Sequence, residues 1–363
     1  MSILYIILGF LLLIKGGDWL VDAAVSIANR YHVPPMIIGI TIMGFGTSMP
    51  ELLVSAQAAL AGSSGIAIGN VVGSNISNIA LILGLTAILH PVPAKPATLR
   101  FDIPCMILSA VVFTAMALVG GTITRPMGII LIIMLAAFMY RQIKRPPSCR
   151  CATSSPEGEG GLHLPDNGAP ATKGNSTSPS GEVPACRAER GLSPSGEDVA
   201  QRQERGRVSL WRSLLLLAIS FIMLVYGADL LVDGATDVAR AIGAQMGVSA
   251  TRMEQIIGLT IVAVGTSLPE LFASVMAARK GETDMAIGNI VGSVTFNILC
   301  VIGVSATICP IEHAADGFLF DYMAMCVLTV LLWFFLRTRY LLERWEGIVL
   351  TLLYIAYIAR TVI

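Results

Sequence analysis

The sequence has few charged residues and no excess of either sign. Only 13% of its 363 residues are charged, and 24 basic residues balance 24 acidic ones. Soluble globular domains carry about 25% charged residues, so this composition excludes an ordinary soluble domain. The zero formal net charge gives no indication of a nucleic-acid partner or of a strongly charged substrate.

Cysteine and histidine are also scarce, and they are not arranged for disulfide bonding or zinc binding. Four of the seven cysteines lie in or beside apolar segments, where Cys usually behaves as a small hydrophobic residue. The others, Cys149, Cys151 and Cys186, lie with His163 in a polar segment whose spacing fits no standard zinc site. No nucleophile–base pair or cofactor motif is present, so an enzyme is the least supported class of function.

Apolar segments make up most of the chain, and 55% of the residues are hydrophobic. A helix of about 20 apolar residues spans a bilayer. The first segment has no basic region before it and carries Lys15 and Asp18, so we interpret it as a span and not as a signal peptide. The pattern predicts an all-α integral membrane protein with ten transmembrane helices, at about residues 2–29, 34–60, 65–89, 103–120, 126–143, 210–241, 253–279, 284–308, 318–336 and 345–362.

One long stretch has a different composition. Residues 146–207 are rich in Ser, Pro, Gly and charge, and they show almost no apolar periodicity. Such a segment cannot bury enough apolar surface to offset its ordering entropy, so it predicts a disordered loop. The loop separates residues 1–145, a first set of five predicted spans, from residues 208–363, a second set of five.

The two parts repeat each other's sequence. Residues 46–51 (GTSMPE) match 265–270 (GTSLPE), and residues 67–74 (AIGNVVGS) match 286–293 (AIGNIVGS). The interval from Glu51 to Asn78 equals that from Glu270 to Asn297. Because each part has an odd number of spans, the second must enter the membrane inverted. Two inverted five-helix repeats are typical of secondary transporters, whose site lies at the repeat interface.

Lys and Arg in the short loops predict the orientation. Most of them fall on one side if the N-terminus is outside the cell. We therefore expect a multi-pass inner-membrane protein with both termini outside and the loop 146–207 in the cytoplasm.

Glu51 and Glu270 lie deep inside apolar segments. A carboxylate at the centre of a spanning helix costs about 2.5–3.5 kcal/mol, so such residues are usually functional. The alternative is that each Glu makes a protonated or hydrogen-bonded contact between helices. The repeated motif with its many oxygen donors favours function.

Oxygen donors surround each of these glutamates. Thr47 and Ser48 precede Glu51 by four and three residues, which would place all three on one face of a helix. Pro50 has no N–H, so the carbonyl of Gly46 would lose its helical hydrogen bond and become available to a ligand. The second half repeats this pattern with Gly265, Thr266, Ser267, Pro269 and Glu270.

The next segment of each half adds a polar stripe at helical spacing. The stripes consist of Asn70, Ser74 and Asn78 in the first half and of Asn289, Ser293 and Asn297 in the second. Glycines beside them would let another helix approach closely; these are Gly69, Gly73, Gly288 and Gly292.

The donor set indicates which cation such a site would prefer. Carboxylates, hydroxyls, amides and carbonyls are hard ligands that suit Na⁺, Ca²⁺ and Mg²⁺. Two Glu carboxylates supply the charge that one Ca²⁺ would neutralise, whereas Mg²⁺ gives up its waters reluctantly. Four further acidic residues are interpreted as interfacial or gate-lining and not as ligands: Asp18, Asp22, Asp229 and Asp233.

The two GTSxPE segments, each followed by GNxxGSxxxN, resemble the alpha repeats of the cation/calcium exchanger family, in particular its prokaryotic sodium/calcium exchanger-like members. The resemblance implies alternating access in which the first and sixth helices slide against the others. The sequence departs from the family pattern at Ser77 and Val294. The implied ligands of Ca²⁺ and Na⁺ are Glu51 and Glu270, with backbone carbonyls of Thr47 and Thr266 for Ca²⁺; Ser48, Ser74, Ser267 and Ser293 with carbonyls of Gly44 and Ala263 for Na⁺; and Asn78 and Asn297 closing the central position.

Taken with this resemblance, the sequence predicts a membrane antiporter that exchanges Ca²⁺ for Na⁺. Its partners would be these two ions and the lipid bilayer, with no bound cofactor. The main alternative is a Ca²⁺/H⁺ antiporter on the same scaffold, followed by a passive cation channel or a non-transporting membrane scaffold. Asn at both 78 and 297, instead of Asp, removes a titratable group that proton coupling would use.

Overall fold

The protein is a bundle of helices, seen in a computed structural model that describes residues 2–144, 210–245, 263–312 and 315–362. The loop predicted at 146–207, with its three cysteines and His163, lies outside the described residues. In chain order the helices are α1 (Ser2–Tyr31), α2 (Pro35–Thr47), α3 (Met49–Leu60), α4 (Ser64–Leu89), α5 (Thr98–Val119), α6 (Arg125–Ile143), α7 (Leu210–Gln245), α8 (Ala263–Gly265), α9 (Leu268–Arg279), α10 (Thr283–Ile308), α11 (Ala315–Arg339) and α12 (Arg344–Val362).

Seven of the described helices are long and apolar enough to cross a membrane, and α2 with α3 makes eight if that bent pair is counted as one span. The seven are α1, α4, α5, α6, α7, α10 and α11. These helices confirm the prediction of an all-helical, multi-pass membrane protein. Of the two other predicted spans, one corresponds to α8 with α9, whose first part (residues 253–262) lies outside the described residues, and the other corresponds to α12.

Helices α1–α6 match α7–α12 in order, and glycines let the two sets pack against each other. A Cβ on Gly347 of α12 would lie 2.6 Å from the carbonyl oxygen of Gly84 on α4. The corresponding contact joins α6 to α10, where a Cβ on Gly128 would lie 2.7 Å from the Gly303 oxygen. The first and sixth predicted spans, α1 and α7, pack together in the same way at Gly9 and Gly227. The core of the protein is therefore built between the two halves.

Two pairs of very short strands also join the halves, and nothing in the sequence predicted them. Strand β1 (Val92–Pro93), after α4, pairs antiparallel with β4 (Leu341–Leu342), after α11. Strand β2 (Thr122–Ile123), after α5, pairs with β3 (Ile311–Glu312), after α10. Each pair takes one strand from each half.

Several helices contain a turn of π-helix, a widened turn that often occurs at functional sites. The described π turns are Gly39–Met43, Ser77–Ile82, Thr98–Asp102 and Asn297–Ile302. The second and fourth are in equivalent positions and contain Asn78 and Asn297. The polar stripes predicted as regular α-helix therefore change geometry at their last members.

Glycines hold α2 and α10 in backbone contact, as the close approach predicted for Gly288 and Gly292 requires. A Cβ on Gly288 would lie 2.7 Å from the Met36 oxygen, and one on Gly292 would overlap the Ile40 carbonyl. The equivalent Gly73 has no atom of a described residue within 4 Å of such a Cβ. The segment that corresponds to Ile40 in the second half lies outside the described residues.

Replacing Gly292 with Ala should destabilise the protein, because the new methyl group overlaps backbone that cannot move without shifting α2. Overpacking of this kind typically costs about 1–3 kcal/mol. Thermal unfolding in detergent measures the loss. Gly65→Ala is the control, since its Cβ would meet only the Phe318 ring, at 3.9 Å. Equal unfolding temperatures for the two variants would show that the α2–α10 contact is looser than described.

Candidate functional site

The chain breaks its helical course at the first predicted motif. Helix α2 ends at Thr47, Ser48 has φ −87° and ψ 6°, and α3 begins at Met49 with a bend of 44°. Pro50 lies in the first turn of α3, where its missing N–H costs nothing. The motif therefore does not lie on one continuous helix, since Thr47 precedes the break and Glu51 follows it. That Thr47, Ser48 and Glu51 share one face stays a prediction.

The second motif has the same geometry. Ser267 has φ −93° and ψ 5°, and α9 begins at Leu268 with Pro269 in its first turn. Glu270, like Glu51, lies in the first turn of its helix. The unpaired N–H groups at a helix N-terminus carry partial positive charge, which favours a carboxylate at this position.

Both carboxylates are fully buried, and one of them is contacted from the opposite half. Glu51 and Glu270 are each 0% exposed. The hydroxyl of Ser48 donates to Oε1 of Glu270 at 3.3 Å. The break between α2 and α3 thus lies directly beside the carboxylate of the second motif.

A second set of contacts joins the end of α2 to α10. The Thr47 hydroxyl lies 3.4 Å from both Asn289 Oδ1 and the Ser293 hydroxyl. Ser293 also donates to the backbone oxygen of Gly44 at 3.3 Å. Gly44 must be glycine here, since a Cβ would lie 2.9 Å from the Ser293 nitrogen. Five predicted site residues therefore meet across the interface between the halves: Gly44, Thr47, Ser48, Glu270 and Ser293.

Each carboxylate-bearing helix is also tied to the helix that follows it. Asn70 on α4 donates to the backbone oxygen of Glu51 at 3.2 Å and to the Ser55 hydroxyl at 2.9 Å. Ser55 was not identified from the sequence, although a serine follows the glutamate by one helical turn in both halves (Ser55 after Glu51, and Ser274 after Glu270). The second half repeats the arrangement with Asn289, Glu270 and Ser274, at 3.3 and 2.9 Å.

Asn75 is a further residue that the sequence analysis missed. Its side chain is fully buried, and its Oδ1 accepts a hydrogen bond from Nδ2 of Asn297 at 3.2 Å. No repeat signal could reveal it, because the equivalent position in the second half is Val294.

Buried polar atoms without a hydrogen-bond partner in the described part of the chain are concentrated in the predicted ligands. Such atoms are costly to bury and usually indicate an ion or water that satisfies them. A hard cation suits this mainly oxygen-bearing set. The atoms that belong to predicted ligands are both carboxylate oxygens of Glu51, Oε2 of Glu270, the hydroxyls of Ser74 and Ser267, both amide atoms of Asn78, and Oδ1 of Asn297.

The two remaining predicted ligands were expected to contribute backbone carbonyls. Ala263 is the first described residue of α8, and Thr266 lies in the turn between α8 and α9. Both therefore lie on the connection that leads into Ser267 and Glu270.

The acidic residues on α1 have a different partner. Lys280, just after α9, lies 2.7 Å from Oδ1 of Asp18 and 3.0 Å from Oδ2 of Asp22. The interpretation of these aspartates as interfacial or gate-lining residues stays a prediction. A cavity of about 770 Å³ between α2, α7 and α10 is lined by residues such as Ile42 and Phe221, so its mostly apolar wall does not suit a cation.

Comparisons with known proteins agree with this geometry. The family model described as "Sodium/calcium exchanger protein" matches residues 1–144 and 212–362. The sodium/calcium exchanger MaX1 of Methanosarcina acetivorans is 32% identical over 358 residues, which cover 98% of this chain and 97% of that protein. The inner membrane protein YrbG of Escherichia coli is 32% identical over 328 residues, covering 90% and 86%. A solved structure of the sodium-calcium exchanger NCX_Mj, soaked with Na⁺ and Ca²⁺, superposes with a TM-score of 0.72 at 28% identity, covering 99% of this chain and 97% of that one.

Proposed function

This chain belongs to the sodium/calcium exchanger protein family, and we propose that it exchanges Ca²⁺ for Na⁺ across a membrane by alternating access. The observation that carries the proposal is a set of buried oxygen atoms at the interface between the halves, around Glu51 and Glu270, that have no hydrogen-bond partner among the described residues. The two carboxylates balance one Ca²⁺, and the neighbouring hydroxyls and amide oxygens can take up Na⁺. The ions would bind between the two repeats.

The strand pairs support ten spans arranged as two inverted five-helix repeats. One span, α5, separates β1 from β2, and one span, α11, separates β3 from β4. If both halves had the same orientation, β1 would share a membrane face with its sequence counterpart β3. It pairs instead with β4, and β2 pairs with β3. This exchange of partners is what an inverted second half produces.

The same inversion explains two polar contacts at the ends of helices. Lys95, between α4 and α5, forms a salt bridge of 2.7 Å with Asp284 in the first turn of α10. Arg125, the first residue of α6, donates to the backbone oxygen of Ile308, the last residue of α10, at 3.4 Å. With both termini outside, the first contact lies on the cytoplasmic face and the second on the outer face. An inner membrane is supported by the similarity to the inner membrane protein YrbG of Escherichia coli.

Purified protein in liposomes tests the proposed exchange. Liposomes loaded with Na⁺ and diluted into Na⁺-free buffer should take up Ca²⁺, whereas liposomes with only a pH gradient should not. Uptake driven by the pH gradient alone would instead support the Ca²⁺/H⁺ antiporter. Ca²⁺ uptake that needs no counter-ion gradient of either kind would indicate a passive channel.

Residues 146–207 should be dispensable for transport, because they join two complete halves and lack apolar periodicity. Loop length has only a small effect on the entropy of closing a connection. We therefore expect a short Gly/Ser linker in their place to leave Ca²⁺ uptake largely unchanged in the liposome assay. Loss of uptake by a shortened protein that keeps its thermal stability would give the loop a role in transport.

A further inference from the structure

The side chain of Asn75 lies between a sulfur atom and a predicted ligand. Its Nδ2 donates to Sδ of Met325 on α11 at 3.6 Å, and its Oδ1 accepts from Nδ2 of Asn297 at 3.2 Å. All three side chains are fully buried. Asn75 is on α4 of the first half, whereas Met325 and Asn297 belong to the second.

The chemistry of these groups determines which amide atom of Asn75 and of Asn297 donates a hydrogen bond and which accepts one. A thioether sulfur can only accept a hydrogen bond, so the amide NH₂ of Asn75 faces Met325. Its carbonyl oxygen is then the atom that faces Asn297, and it can only receive the NH₂ of Asn297. Oδ1 of Asn297 is thereby left as the free atom, and no described residue donates to it. A cation is attracted by this oxygen and repelled by an amide NH₂.

The other half has all parts of this arrangement except one. The residue equivalent to Met325 is Met106, which is fully buried in the same core as Val294. Val294 stands where Asn75 stands in the first half, and it offers no hydrogen bond. Accordingly, neither amide atom of Asn78 has a partner among the described residues. Among the described residues, Asn297 has a contact that fixes the orientation of its amide, whereas Asn78 has none.

We propose that Asn75 is a positioning residue that turns Oδ1 of Asn297 towards the transported cation, and that Val294 leaves Asn78 without this control. The inference rests on the proposed function, since it takes Asn297 as a ligand. It makes the two halves of the site unequal. Asn297 is pre-oriented as an acceptor before the ion arrives, and preorganisation of this kind improves binding by reducing its ordering cost.

The first test measures Ca²⁺ uptake into Na⁺-loaded liposomes over a range of Ca²⁺ concentrations. Asn75→Val should raise the Ca²⁺ concentration for half-maximal uptake by about 2- to 10-fold, the effect of losing one net hydrogen bond. The maximal rate should change little, because the carboxylates and the moving helices are unaltered. A residue that only supports the fold would lower the maximal rate and the thermal stability and leave the half-maximal concentration unchanged; that result would overturn the proposal.

Mirror variants separate positioning from packing. Val294→Asn should lower the half-maximal Ca²⁺ concentration, since Met106, in the same core, occupies the position equivalent to Met325. The exchange of both residues (N75V with V294N) should restore a value near that of the wild type. Met325→Leu conserves volume and should act in the same direction as Asn75→Val, whereas Met106→Leu should have no effect. If the two Met variants behave alike, the directional chain is refuted, even if Asn75→Val fails to fold.

A double-mutant cycle shows whether Asn75 acts through Asn297. In an Asn297→Ala background, Asn75→Val should raise the half-maximal concentration no further. An undiminished effect there would overturn the proposal. Absence of Ca²⁺ uptake by the wild type would instead overturn the proposed function. In that case the cycle is measured as the thermal stabilisation that Na⁺ and Ca²⁺ give to the same four proteins. Additive effects of the two substitutions on this stabilisation would refute the positioning role.

Discussion

Replacing either Glu51 or Glu270 with Gln should abolish Ca²⁺ exchange. Gln keeps the shape of the side chain and removes one of the two negative charges at the site. Both carboxylates are 0% exposed, so water cannot compensate for the lost charge. Removing one partner from a buried charged group typically costs about 3–5 kcal/mol, which corresponds to a decrease of at least about a hundredfold in Ca²⁺ affinity.

The equivalence of the two glutamates is tested by making both variants and a control. Ca²⁺ uptake into Na⁺-loaded liposomes should fall to background for both. Glu346→Gln provides a matched control, because Glu346 is also buried (3% exposed) but its carboxylate accepts the backbone N–H of Glu343 at the start of α12. An amide oxygen can still accept that hydrogen bond. Normal transport by either site variant would disprove a shared central site.

Replacing Ser293 with Ala should weaken Na⁺ dependence more than Ca²⁺ affinity. The hydroxyl of Ser293 lies within hydrogen-bonding distance of the Thr47 hydroxyl and of the backbone oxygen of Gly44. These three uncharged oxygen atoms form a cluster. Because Na⁺ carries one charge and Ca²⁺ two, Na⁺ is attracted less strongly by the carboxylates and depends more on such neutral oxygen ligands. We expect the Na⁺ concentration for half-maximal exchange to rise about tenfold, on the scale of one lost interaction with a charged group.

Na⁺-driven Ca²⁺ uptake at varied Na⁺ and fixed saturating Ca²⁺ gives the half-maximal Na⁺ concentration. Uptake at varied Ca²⁺ and fixed saturating Na⁺ gives the half-maximal Ca²⁺ concentration. Ser305→Ala is the control, since Ser305 is equally buried on the same helix and its hydroxyl has no hydrogen-bond partner in the described part of the chain. A larger shift in Ca²⁺ than in Na⁺ for Ser293→Ala would require the Na⁺ role of Ser293 to be withdrawn.

Much of the helical layout could be predicted from the sequence, and so could most residues of the candidate site, which stays a proposal; the physical reasons are separate. Hydrophobic length reveals membrane helices because the bilayer leaves few other ways to satisfy the backbone. The repeat then drew attention to Glu51 and Glu270, since a buried charge that occurs twice in equivalent positions is unusual. Both kinds of evidence are local in the chain.

The features that were missed depend on contacts between distant residues or on small changes of backbone geometry. The break at Ser48 places Thr47 and Glu51 on different helices, α2 and α3. The sequence alone does not distinguish a Pro in the first turn of a new helix from a Pro within a continuous one. The π turns at Ser77–Ile82 and Asn297–Ile302 have no sequence signature. Asn75 meets Asn297 only because the two halves pack together, and Val294 removes the repeat signal that would have pointed to it.

The contacts between the halves also determine when this protein can become stable during its synthesis. Each strand pair draws one strand from each half, and Gly84 and Gly128 pack on residues made after position 300. A nascent chain that has reached only the loop 146–207 therefore holds inserted helices with no partners for these surfaces. Its helices can insert one by one, but its final packing must wait until α10, α11 and α12 arrive. A product truncated in the loop would keep contacts within the first half, such as that between Asn70 and Glu51. Its surfaces that face the second half would be uncovered, which would make it a target for proteolysis and not a half-sized transporter.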